Sequence, residues 1–468
     1  MCGYCNRRSF LTFTPTGFAS AVLGKAGLAQ PPRETADKPT ILNKAYLKET
    51  DKPGKHFSRT FKRQSEPIAH NVRIVGYSNL NNKPAFKISI REHQGRWYLY
   101  TGHFWQPGWS IVDVTDPAKP EVAKFIAGPK NTATLQMELS GNTMITALEQ
   151  ILPGLGGNKK PFDEGVIIWD IRDPVNPRRL GQFRTGGTGT HRNFYAGGRY
   201  MHLAAGMPGY EGNIYVIVDI DNPANPQEVG RWWVPGQHIA GGEQPSATYI
   251  SHHGPPYVAG NLVYLSYGAA GMIVLDISDV TKPRQIGRLP FSPPFHSRFG
   301  IHSVLPIPEQ GIAYVNSEDV SYGASAVAHA SIVDIRDPAN PFLLSILPRP
   351  IPPSGYGYRD FSEKGGWQGP HNINHLQHNP DVEKQKDLLY IAYFNAGLRI
   401  FDVSAPRLPQ EVGYFIPPDP EQRLGVLPEG RLVVQTEDVL VDRRGYIYIT
   451  HKNQGLWILE YEGRKSLS

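Results

Sequence analysis

Short apolar runs rich in Val, Ile and aromatic residues recur along the chain, each followed by a polar turn built on Asp-Pro or Asn-Pro. The phrase reads GWSIVDVTDPAKPEVAKF around Asp113, GVIIWDIRDPVNPRRLGQF around Asp170 and IYVIVDIDNPANPQEVGRW around Asp219. It returns as GMIVLDISDVTKPRQIGRL around Asp276, ASIVDIRDPANPFLLSI around Asp334 and GLRIFDVSAPRLPQEVGYF around Asp402, with a degenerate copy, GLWILEYEG, near the C-terminus. A β-branched run, a turn and a second short run predict an antiparallel hairpin. No helical period competes with this pattern. The copies follow one another at roughly 58 residues, a spacing found in propellers and solenoids.

Upstream of each hairpin lie two more strand-like runs, as in GPPYVAG and NLVYLSYG, so each repeat holds four short strands. Such a pattern predicts an all-β fold, a seven-bladed β-propeller. The last copy stops at Glu460 to Gly463 with no fourth strand, whereas NVRIVGYSNL at Asn71 to Leu80 looks like a fourth strand without a blade. Gly76 stands there where Gly230 and Gly287 stand in their own repeats. This N-terminal strand is expected to pair beside the final repeat and close the ring, which removes open sheet edges. The IVDI-DP-NP phrases resemble the LVIVD-repeat family of β-propeller proteins, from about residue 66 to about 463. The resemblance implies the fold; the chemistry has to come from individual residues.

A length of 468 residues would ordinarily suggest several domains. An end-to-end repeat makes one large domain of residues 66–468 the better reading, preceded by an extended arm, 30–65, and a leader, 1–29. The leader pairs Arg7 and Arg8 before Ser-Phe-Leu, continues through a mildly apolar stretch and ends in Gly-Leu-Ala before Gln30. It resembles a twin-arginine export signal cleaved after Ala29, which implies use of the twin-arginine export machinery and a periplasmic location. Cys2 and Cys5, the only cysteines, lie in this leader, so the mature chain would offer neither a disulfide nor a thiol nucleophile. The formal charge of +6 falls by three when Arg7, Arg8 and Lys25 leave with the leader. That balance gives no case for nucleic acid. No later apolar run is long enough for a transmembrane segment.

When the repeats are aligned, the start of the innermost strand falls on Lys87, Thr134, His191, His253, His302, His371 and Glu437. Four successive repeats place a histidine there, with His252 as an alternative to His253. Innermost propeller strands surround the axis and start at one end, so these side chains are expected to face one another across the channel mouth. His191, His253, His302 and His371 are therefore the candidate metal ligands. Nitrogen ligation favours iron or copper, with zinc or manganese as further possibilities. Three histidines and a water would leave a position open for substrate. Glu437, Asp438, Glu138 and Glu243 are acidic candidates for orienting the imidazoles. The bland alternative is that the histidines hydrogen-bond strand ends or channel water.

Loops at the same end carry His103, Trp105, Tyr267, Tyr322, Asn395 and His451, and the long connections carry Trp232, Trp233, Tyr356, Tyr358, Arg359 and Trp367. These are expected to wall an apolar or aromatic pocket. The repeated motif aspartates read as turn formers, and His375 and His378 as surface residues. Lys87, Glu437 and Arg359 are the catalytic candidates. The leading expectation is a periplasmic metal-dependent oxidoreductase acting on a small aromatic or apolar molecule. The rivals are a metal-assisted lyase or hydrolase on acidic sugars, with Lys87 or a rim tyrosine as base and Arg192, Arg298 or Arg359 holding a carboxylate, and a non-catalytic scaffold.

Overall fold

The structure is a computed structural model that describes residues 57–152, 155–157, 160–246, 250–291, 300–320 and 328–463. The leader, most of the arm, Arg298 and Tyr322 lie outside these residues. The repeat around Asp276 shows how the sequence builds a sheet. Tyr257–Ala259, Leu262–Ser266, Met272–Asp276 and Arg284–Leu289 pair antiparallel in chain order. Two-residue apolar spacing and tight turns, one with Gly260 at φ 60°, give each strand one neighbour on either side.

The same order recurs in Ile88–His93 to Glu121–Ala127, Gly189–Phe194 to Gln227–Trp232 and Ile301–Ile307 to Phe342–Ile346. Met137–Ser140 to Arg178–Phe183 forms another such group, joined to the next by the single pairing of Gly189 with Glu149. Leu388–Ala392, Leu398–Asp402 and Gln410–Ile416 gain Ile68–His70 on their outer edge, a pairing that no repeat periodicity announces. Thr436–Val441, Tyr446–His451 and Gly455–Tyr461 are followed by Val72–Ser78, which pairs antiparallel with the last of them.

The motif aspartates act as the sequence suggests. Asp113, Asp170, Asp219, Asp276, Asp334 and Asp402 each accept the backbone N–H two residues on, at 2.9–3.0 Å. Such Asx-type turns fix the exit of one strand and the entry of the next.

Each outer hairpin also carries a bulge at one place, after Ile111, Ile168, Ile217, Val274, Ile332 and Ile400, and again between Ile74 and Gly76. The bulge turns a backbone position towards the neighbouring sheet. A Cβ on Gly181, Gly230 or Gly287 would stand 2.0 Å from the carbonyl oxygen of Pro223, Val280 or Pro338, the corresponding turn residue of the following repeat. On Gly76 it would stand 2.1 Å from Pro117 O, in the turn of the first repeat. Ser345 takes the glycine's place once and donates to Pro406 O at 2.6 Å. Apolar faces close the space between sheets, as where Val263, Leu265 and Leu275 pack with Tyr215 and Ile217. Among the described residues no helix is long and apolar enough to cross a membrane.

The joint makes a stability prediction. Gly230→Ala should destabilise the fold by about 1–3 kcal/mol, because backbone on both sides must move. Ser345→Ala should cost about 1 kcal/mol for the lost hydrogen bond. Denaturant unfolding checks both; an unchanged midpoint for Gly230→Ala would contradict the joint.

Candidate metal centre

The four histidines of the alignment come together as an arc. Neighbouring ring centroids lie 4.5 Å apart for His191 and His253, 4.7 Å for His253 and His302, and 4.8 Å for His302 and His371. Backbone pairing fixes them at the starts of inner strands: His253 N donates to Ser266 O at 3.0 Å and His371 N to Ala392 O at 2.8 Å. His253, not His252, joins the arc. The His252 ring stacks on Tyr267 instead, with centroids 5.1 Å apart.

A carboxylate that the sequence alignment did not select completes the group. Glu318 follows the strand Ile312–Ser317, and its Oε2 lies 3.3 Å from His253 Nε2 and 3.6 Å from His302 Nε2. One ligand atom from each of these three buried residues falls within 4.8 Å of the others, a group able to hold a metal ion. His302 Nδ1 is held by Ser303 Oγ at 2.7 Å, while its Nε2 has no hydrogen-bond partner among the described residues. A ring tied at one nitrogen and open at the other is the usual state of a ligating imidazole. Burial, with the Arg192 charge adding to it, holds the His302 pKa well below the ordinary value, so the ring is neutral and its lone pair available.

The outer members of the arc differ. His191 Nδ1 pairs with Glu149 Oε2 at 2.8 Å, which leaves Nε2 towards its neighbours. His371 donates from Nδ1 to Glu437 O at 2.6 Å and accepts from Arg192 Nη2 at Nε2, 3.1 Å away. With that lone pair occupied, His371 borders the group, its Nε2 3.6 Å from Glu318 Oε1. Beside the all-nitrogen set expected from the sequence, His253, His302 and Glu318 thus form a mixed group of nitrogen and oxygen.

Lys87 and Glu437 are buried in the same region, each with a charge partner. Lys87 Nζ lies 3.3 Å from Asp438 Oδ2, and Glu437 pairs with Lys452. Burial pushes Glu437 up to about 7 against the pull of Lys452. Lys452 Nζ in turn sits 3.9 Å from the Trp367 ring centroid and 5.1 Å from that of Phe394. Phe394 stacks on His371 at 4.5 Å and packs with Val320, Trp367 and Leu427, so one wall of the site is apolar, and Trp105 adds to it.

Several expected residues are elsewhere. The Arg359 side chain is 90% exposed and paired with Glu363 four residues on, so it is not brought to the histidines. Glu243 accepts from Gly236 N, His238 N and Trp233 Nε1 and holds its own loop. Thr134 Oγ1 donates to backbone carbonyls of His103 and Gly108, and His103 has both ring nitrogens bonded, to Pro84 O and Ser110 Oγ. Asn395 donates to Phe361 O and Gly365 O. The His451 ring nitrogens Nε2 and Nδ1 lie 2.6 and 2.9 Å from Gln435 N and Asn453 N, and one of them accepts. Of the two histidines expected on the surface, His375 is buried and the His378 side chain is only 10% exposed. Their Nε2 atoms lie 3.8 and 3.7 Å from the two oxygens of Glu138, and Lys87 Nζ lies 3.5 Å from His375 Nδ1.

Burial pushes Glu138 up to about 8, so the folded protein keeps a proton there that the unfolded chain releases near its ordinary value. Between those two values the folded state binds more protons, and stability falls as pH rises. From pH 5 to pH 8 the unfolding midpoint of Glu138→Gln should therefore gain on the parent's, against the opposite slope that the buried neutral histidines give both proteins below about pH 6.5. A variant with the parent's full pH slope would contradict the assignment.

A profile of the LVIVD repeat matches residues 209–233, 257–289 and 381–416. No curated protein matches the chain in sequence. Among solved structures the chain is similar to the β-propeller domain of Cps50 (Swd1) from Myceliophteria thermophila, with 13% identity and a TM-score of 0.50. The match covers 83% of this chain and 99% of that one. Streptogramin B lyase aligns at 9% identity with a TM-score of 0.48, over 84% of this chain and 98% of that one. At such identities the likeness concerns the fold. The repeated hairpins, the profile match and the propeller neighbour agree: this chain has a β-propeller fold and contains LVIVD repeats.

Proposed function

We propose that the protein is a seven-bladed propeller, closed by Val72–Ser78, that holds one transition-metal ion at His253, His302 and Glu318 and works as an exported oxidoreductase. Closure is supported by the pairing of Val72–Ser78 with Gly455–Tyr461 and by the fit of Gly76 to the first repeat's turn. Export is supported by the twin-arginine pattern of the leader. The observation that carries the metal reading is the convergence of two imidazoles and a carboxylate in a buried site. Two histidines and one carboxylate with open positions are the donor set of non-haem iron(II) oxygenases, so iron is the favoured ion and copper is second. Such an ion would supply binding and activation of oxygen or polarisation of a substrate oxygen. The chain's own residues would do the rest. Ser303 orients His302, and Arg192 and Glu437 hold His371 beside the open side. Phe394, Trp367 and Leu427 exclude water and present an apolar wall suited to a small aromatic or apolar substrate.

A second reading, a metal-assisted lyase or hydrolase with zinc or manganese, is favoured by Glu138, a carboxyl that keeps its proton near neutrality. Metal analysis of the purified full-length protein, with oxygen uptake, separates the readings. Near-stoichiometric iron or copper is expected, lost in His302→Ala and Glu318→Gln with the circular dichroism spectrum retained. Ser303→Ala should weaken metal affinity by about tenfold. Zinc or manganese without oxygen uptake would favour the second reading. A metal-free protein after metal-replete expression, or full metal in both ligand variants, would overturn the metal reading and leave a binding scaffold.

A further inference from the structure

An outer strand leaves one edge of its sheet open, and such edges are ordinarily guarded by charge or by cover. Lys124, Arg178, Arg231, Arg288, Glu411 and Arg73 stand one in each of six outer strands. The strand that holds Glu411 is also covered, by Ile68–His70. The fifth repeat's outer strand, Phe342–Ile346, has neither guard. It reads Phe-Leu-Leu-Ser-Ile and pairs on one side, with Ala330–Asp334.

Its side chains stay in contact with water. Phe342, Leu343 and Ile346 are each between 39% and 48% exposed. Leu408, 73% exposed, lines one cleft with Leu344 of the strand. Together they present roughly 400 Å² of apolar surface, in the range that marks an interaction site on a monomer. That is about half of what one side of a stable interface covers, close to the apolar share of such interfaces.

Two features point to a second copy of this chain. Pro341 and Pro348 bracket the strand and cannot donate, so an extended segment added to this edge would find few amide partners, and side chains must carry the contact. The two ends of the strand also differ in charge. Asp337 lies in the turn before it and Arg349 after it, both exposed and neither in a salt bridge among the described residues. Arg336, beside Asp337, is paired with Asp334. A second copy laid antiparallel across the strand, about a two-fold axis at its middle, sets apolar side chains on apolar ones and brings each Asp337 towards the other copy's Arg349. Such a contact is isologous and closed.

We propose that Phe342–Ile346, with Leu408, is the contact face of a homodimer. The face includes none of the groups at the metal centre, so association and metal loading are independent.

Sedimentation velocity of the purified full-length protein, from micromolar to sub-millimolar concentration, tests this. The parent should reach twice the monomer mass. Phe342→Lys should weaken association by at least about tenfold, and Arg349→Glu by several-fold. Adding Asp337→Lys to Arg349→Glu should restore association, because each ion pair is then rebuilt with its signs exchanged. At dilutions where the parent is monomeric, all variants should share its circular dichroism spectrum. A parent that remains monomeric throughout, which would leave the face to a different protein, would overturn the proposal. So would a dimer that Phe342→Lys leaves intact, or charge variants that do not weaken singly and recover together.

Discussion

The repeated joint between an outer-strand bulge and the next repeat's turn is the contact on which the rest of the structure depends. At Gly181, Gly230, Gly287 and Gly76 there is no room for a side chain, because a turn carbonyl of the adjoining sheet occupies the place of the Cβ. The bulge increases the local twist and aims the backbone at its neighbour. Where sheets meet through such a contact, their spacing and tilt are fixed. The starts of the inner strands then come to one end, and side chains far apart in sequence converge. His191, His253, His302 and His371 span 180 positions of chain, yet their rings form one continuous row.

Convergence has an electrostatic cost, visible in how each ionisable group is answered. Arg192 is fully buried, and it is held by Asn372 Oδ1 at 2.5 Å and His371 Nε2 at 3.1 Å. Lys87 faces Asp438, and Lys452 faces Glu437 beneath two aromatic rings. Where burial outweighs the nearby opposite charge, the group is neutral instead. His302 and His378 are held well below the usual imidazole range, His378 at about 4, and Glu138 well above the carboxylate range. A bound cation at His253, His302 and Glu318 would use the arrangement most fully.

Much of the fold was legible in the sequence because it rests on repeated local chemistry. The Asx turns, the alternating strands and the glycine shared by NVRIVGYSNL, PQEVGRWW and PRQIGRLP each repeat a local requirement of the backbone. The histidine row was legible for the same reason, since equal positions in successive repeats occupy equal places around an axis. Glu318 was not, because it follows a second strand rather than opening a first one, although Glu149 stands at the same register in the second repeat. His375 and His378 were misjudged because a strand-and-turn reading gives spacing but not depth. Their segment folds inward against Glu138, and only tertiary packing fixes that. Arg359 was selected by the length of its loop, but its charge is taken by Glu363 one helical turn away. The strand Ile68–His70 lies outside the repeat and left no periodic signal.

The central claim is that His253, His302 and Glu318 hold one metal ion. X-ray diffraction from crystals of the purified protein, with data collected on either side of the absorption edge of the metal found, tests it at atomic resolution. The account predicts a single strong anomalous peak within coordination distance of His253 Nε2, His302 Nε2 and a Glu318 oxygen. A peak elsewhere in the molecule, or ordered water alone among these three side chains in metal-replete crystals, would contradict it.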